Sequence, residues 1–162
     1  MSDAGLLNVV LYLPLAAIAR VIVLPRRRDG WVRGLSLAAM LLQFVITAIL
    51  YLRFEPAAAV LQFETRLPWI PSWGVYYQIG LDGYNVLLVL LTAFLGPLAV
   101  AGAFTAIDRE VKLFYAMVFA LQFAMIGTFV AQDLFLFYLF WEAMLIPLFF
   151  IIGIWGGERR IY

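Results

Sequence analysis

The 162-residue sequence contains no cysteine and no histidine. That excludes a disulfide framework, a zinc site built on those ligands, haem held through histidine, an iron–sulfur cluster and a thiol nucleophile. Charge is also scarce. Only 13% of the residues are charged, and ten Arg, one Lys and ten acidic residues leave a net charge of +1. So small a balance argues against nucleic acid as a partner. What the chain has in abundance is apolar surface, with 66% hydrophobic and 17% aromatic residues and a mean hydropathy of +1.01. A soluble domain is about 45–50% apolar and about 25% charged. This chain could not cover its own surface with polar groups, so lipid is the implied solvent and a soluble enzyme is excluded.

Five apolar runs are long enough to cross about 30 Å of hydrocarbon, which takes roughly 20 helical residues. They are Leu6–Leu24, Trp31–Leu52, Asn85–Ala106, Val111–Val130 and Leu134–Trp155. The expected fold is an all-α membrane protein of five transmembrane helices forming one membrane domain over residues 1–162. Residues 1–58 carry the first two helices, 59–83 a loop, and 84–162 the last three helices and the start of another. No repeat, low-complexity tract or soluble domain interrupts this pattern.

The placement of Arg and Lys predicts the orientation. Arg20, Arg26, Arg27, Arg28, Arg33, Arg109, Lys112, Arg159 and Arg160 fall on one side, and only Arg53 and Arg66 on the other. The N-terminus is therefore expected outside and the C-terminal end in the cytoplasm, in a bacterial inner membrane. Met1-Ser2-Asp3 is acidic and the basic cluster follows the first apolar run, so that run is expected to remain as an anchor.

The long outer loop has a pattern of its own. Leu61-Gln62-Phe63-Glu64-Thr65-Arg66-Leu67 alternates with the period of a half-buried strand, Pro68 to Gly74 reads as a turn, and Val75-Tyr76-Tyr77-Gln78-Ile79 as a second strand. These predict a β-hairpin at the outer membrane surface between the second and third helices, with an irregular aromatic loop as the alternative. Trp69, Trp73, Tyr76 and Tyr77 have rings suited to headgroup level.

Within the spans one ionisable side chain stands far from any interface. Glu142 follows Leu134 by eight residues, about 12 Å along a helix and near mid-membrane. A charge there costs about 2.5–3.5 kcal/mol on insertion scales, so the residue must be protonated, paired or hydrated. Proton handling is the functional reading; a neutral glutamic acid bonded between helices is the structural one. Pro147 has no N–H and deprives the Ala143 carbonyl of its helical donor, leaving either a hydrated pocket beside Glu142 or a plain kink. Tyr138, one turn earlier, either donates to Glu142 or packs. Gln43, Thr47, Gln122 and Thr128 either bridge helices or line water. Asp82 and Asp133 stand where helices begin and are expected to cap them.

Phe140-Trp141-Glu142-Ala143-Met144-Leu145-Ile146-Pro147, continuing through Ile152-Gly153-Ile154-Trp155-Gly156-Gly157, resembles the fifth-helix motif of a known family. This is the M-type (chain 4) family of antiporter-like membrane subunits of respiratory NADH–quinone oxidoreductase, complex I. Gly80-Leu81-Asp82-Gly83 leading into Leu87–Phe94, the segment from Ala131 to Tyr138, and Pro68-Trp69-Ile70-Pro71 are similar too. The resemblance covers roughly residues 60–162 and rests chiefly on Trp-Glu-x-x-Leu-x-Pro.

The resemblance implies the first part of a fold of about fourteen helices built on two inverted repeats. It implies a role for Glu142 in proton translocation, paired with a Lys on the seventh helix, which lies outside this sequence; Lys112 is not that residue. It further implies an enzyme only as part of a complex. NADH, flavin, iron–sulfur clusters and quinone are expected in other subunits, with no cofactor or metal in this chain. The implied partners are other membrane-arm subunits and the lipid bilayer. Two rivals remain open: a homologous subunit of a multi-subunit cation/proton antiporter or membrane-bound hydrogenase, and a non-transporting membrane scaffold.

Overall fold

The structure, a computed structural model, describes residues 3–24, 29–58 and 60–157. Arg26, Arg27, Arg28, Arg159 and Arg160, five of the cations behind the expected orientation, lie outside the described residues. Five long helices form: α1 (Asp3–Val23), α2 (Asp29–Arg53), α3 (Asn85–Ala106), α4 (Val111–Val130) and α5 (Leu134–Trp155). All five are long and apolar enough to cross a membrane. The last three match the expected spans residue for residue, while α1 begins three residues earlier, at Asp3, and α2 two residues earlier, at Asp29.

Each helix reverses the one before. Lys112 at the start of α4 donates to the Ile22 carbonyl at the end of α1, and Arg33 near the start of α2 donates to the Ile107 carbonyl just past α3. Those contacts place the starts of α2 and α4 beside the ends of α1 and α3. α4 is the central helix, packed against α1, α2, α3 and α5, whereas α5 packs on α4 and the hairpin.

The segment between α2 and α3 is a hairpin, so the irregular-loop alternative falls. Strand β1 (Gln62–Ile70) pairs antiparallel with β2 (Val75–Leu81) across a short 3₁₀ turn at Pro71–Trp73. β1 runs three residues further than the alternation indicated, through Pro68, which pairs with Tyr76. The sheet has two strands, so Pro68 can turn its nitrogen to the free edge without losing a ladder bond. Near the start of β1 the register slips between Gln62 and Thr65, where Phe63 adopts φ 57°. That bulge turns the Phe63 ring into the core.

The interior divides into two apolar clusters. One, under the hairpin, gathers Leu7, Val10, Leu50, Ile79, Val89, Ile126 and Phe140. The other, toward the opposite end, gathers Val21, Val32, Met40, Val100, Tyr115 and Phe119. Gln43, Thr47, Thr92 and Gln122 are buried at the level between them.

Candidate functional site

The position of Glu142 is set from the start of α5. Asp133 is its N-cap: Oδ1 accepts from the Phe135 and Leu136 N–H groups at 2.9 and 3.3 Å. Its second oxygen accepts from the Tyr76 N–H of β2 at 3.0 Å. The preceding residues dock on the same strand, with the Gln132 N–H donating to the Gln78 carbonyl at 2.8 Å and an isolated bridge between Ile79 and Ala131. The hairpin therefore fixes where α5 begins, and about 1.5 Å per residue fixes the depth of Glu142. The Tyr76 N–H, more than those of Leu136 and Phe135, holds the Asp133 carboxyl below the usual carboxylate range, against the opposing effect of partial burial.

One face of α5 is seated on α4. Leu136, Phe140 and Pro147 are its buried residues. The Phe140 ring lies flat against Gly127, where any side chain would collide with it, and meets the Phe123 ring edge-to-face at 5.4 Å between centroids. Glu142 lies on another face, exposed among the described residues. Tyr138, one turn earlier and 60% exposed, shares that face with it. Trp141, Leu145, Ile146 and Phe149 are exposed around them. Only 17% of the apolar window of α5 is buried, against 50% for α4.

The three residues singled out in the sequence thus separate. Tyr138 and Glu142 come together on one turn, while Pro147 turns inward and α5 continues as a helix across it. Two cavities lie elsewhere. One of about 770 Å³ is lined by Asp29, Asp108, Glu110 and Lys112, and one of about 430 Å³ by Arg53, Glu55, Gln62 and Phe63. Among the described residues no group of His, Cys, Asp or Glu could hold a metal ion. The link from Asp133 to Tyr76 escaped the sequence, which marks Asp133 as a helix cap but gives no sign of the strand 57 residues away.

Residues 131–162, which contain Glu142, match the family model described as NADH:quinone oxidoreductase/Mrp antiporter, transmembrane. NADH-quinone oxidoreductase subunit M of Rhodobacter capsulatus is 43% identical over 98% of this chain. Over nearly its whole length the chain is similar to part of the M-type, chain 4 subunits. NAD(P)H-quinone oxidoreductase chain 4 2 of Thermosynechococcus vestitus is 40% identical over 96% of it. Among solved structures, a chain of respiratory complex I from Thermus thermophilus with bound NADH superposes with a TM-score of 0.70, at 30% identity over 95% of this chain. The chain spans about a third of the length of each of these proteins: 31%, 29% and 30% respectively.

Proposed function

We propose that this chain is part of a proton-translocating membrane-arm subunit of an NADH–quinone oxidoreductase, with Glu142 as a proton-bearing group. The observation that carries the reading is the placement of Glu142. A carboxyl near mid-span stands on the face of α5 that the other four helices leave uncovered, with Tyr138 one turn away on the same face. A charge at that depth cannot be left against lipid at low cost. The face is therefore completed by further protein, and the relatives, about three times as long, have the chain to supply it.

In the completed subunit Glu142 pairs with a cation on a facing helix. Strengthening or breaking that pair shifts the proton affinity of both groups, and a proton moves when the pair is remade. Tyr138 holds the carboxylate toward its partner. Electron transfer takes place in other subunits, which hold NADH, flavin, iron–sulfur clusters and quinone, and this chain adds no redox group. Its partners are the neighbouring membrane-arm subunits and lipid, with the hairpin on the outer face of a bacterial inner membrane.

The test is Glu142→Gln in the full-length subunit of the assembled complex, with NADH–quinone electron transfer and proton uptake measured together. Coupled pumping should fall at least tenfold, and Glu142→Asp should retain part of it. Unchanged pumping per electron in the Gln variant would remove the role. Copurification with the NADH-oxidising subunits separates this reading from a cation antiporter, which the matched family description also covers.

A further inference from the structure

α1 and α3 each contain a proline, Pro14 and Pro97. Pro14 has no N–H, so the Val10 carbonyl, four residues earlier, loses its helical donor. In lipid no water is at hand to replace it, and an unmet carbonyl costs several kcal/mol. The replacement comes from another helix. Gln43 of α2, fully buried, donates from Nε2 to the Val10 oxygen at 2.8 Å. Its own Oε1 accepts from Nε2 of Gln122 on α4 at 3.2 Å, and the same Gln122 nitrogen lies 3.1 Å from the Thr92 carbonyl of α3. Thr92 precedes Ala93, the residue whose carbonyl Pro97 leaves without a donor. Gly96 makes the approach possible, since a Cβ there would sit 3.1 Å from the Gln122 nitrogen and 2.9 Å from the Met40 sulfur.

We propose that Gln43 and Gln122 form a joint in which Gln43 supplies the donor that Pro14 denies the Val10 carbonyl and Gln122 ties that amide to α3 one residue before the carbonyl Pro97 frees, and so sets the register of α1, α2, α3 and α4. Apolar packing alone specifies register poorly in lipid, because acyl chains are as apolar as leucine and helices gain little by meeting. The joint lies between the two apolar clusters, where a slip of one turn would bring an amide against leucine or phenylalanine. Its effect reaches the hairpin. The half of α1 before Pro14 holds the strands, through Asn8 Nδ2 to Thr65 Oγ1 at 2.8 Å and through the Tyr12 and Tyr77 hydroxyls at 2.9 Å. A fixed bend at Pro14 therefore fixes the hairpin, whether or not Glu142 carries protons.

A double-mutant cycle on the full-length subunit in its complex tests this, read as the thermal unfolding midpoint in detergent and as the amount assembled in membranes. Gln43→Leu should lower the midpoint by several degrees, because it strands the Val10 carbonyl. Pro14→Ala restores a backbone N–H to that carbonyl, so in the Pro14→Ala background Gln43→Leu should cost less than half as much. If Gln43→Leu alone fails to assemble, the double variant should recover assembly. Equal losses with and without Pro14→Ala, by either readout, would overturn the proposal.

Discussion

The two ends of the bundle solve the same problem with opposite charges. At the hairpin end α3 and α5 begin, and their free N–H groups meet carboxylates: Asp82 accepts from Tyr84 and Asn85, both at 2.8 Å, and Asp133 from Phe135 and Leu136. At the other end α1, α3 and α5 finish, and their free carbonyls meet cations. Lys112 donates to Ile22 and Leu24, Arg33 to Ile107, and Arg109 to Ile154, while the Trp155 indole returns a bond to the Arg109 carbonyl at 2.9 Å. Anions at helix starts and cations at helix ends both follow the helix dipole. The difference lies in reach. Each carboxylate caps the helix immediately after it, Asp133 also reaching Tyr76 57 residues away, whereas all of these cations act across 45 to 90 residues of sequence. The basic residues that the sequence offers as a marker of orientation are also the clamps that tie α1 to α4 and α2 to α3.

Replacing Asp133 should have the largest effect at either end, because that side chain combines a local cap with a tertiary bond to β2. Asp133→Ala is expected to destabilise the subunit by about 1–2 kcal/mol, read as the unfolding midpoint of the complex, with Asp133→Asn milder. It should also increase amide exchange in β2, which a purely local cap would leave unmoved. Lys112→Met comes next. It strips the last carbonyls of α1 of their donor and should cost about 0.5–1 kcal/mol, with Lys112→Arg recovering most of the loss in the same measurement. If removing the clamp cost nothing, the cations would be markers of orientation and no more.

The smallest effect is a pH dependence confined to the hairpin end. Asp133 is held below its ordinary value of 3.8 in the folded state. Its contribution is therefore complete above that value and disappears as pH falls through the lower, folded one. Asp133→Asn should flatten the acid limb of the midpoint–pH curve below about pH 4 and leave its slope near neutrality unchanged. A steeper acid limb in the variant would show that the carboxylate is not stabilised by folding.

How much could be read in advance depends on the same distinction of reach. The five spans were legible because each is a continuous apolar run of helix-spanning length, and the Asp82 and Asp133 caps because a cap lies within three residues of what it bonds. The hairpin was legible in outline, but its ends were not. Whether a strand continues through Pro68 depends on whether its nitrogen faces a partner, and the bulge at Phe63 exists to turn one ring into a core built by other segments. Gln43 and Gln122 could be marked as polar residues that bridge helices or line water. That one of them answers Pro14 needed α1 and α2 side by side. For Glu142 depth and residue type were legible, and the fold added its neighbour Tyr138, its anchor at Asp133, and the exposure of its face.

Composition and periodicity determined by themselves that this protein lives in lipid, crosses it five times over these residues, and carries a carboxyl near the middle of its fifth helix. Those properties depend on how many apolar residues follow one another, a quantity local to the chain. Tertiary structure alone decided which carbonyl each cation and amide would meet, and which side of α5 would be covered. Hydrogen bonds are short and directional, so partners distant in sequence are chosen only when the helices that carry them are brought within about 3 Å of contact.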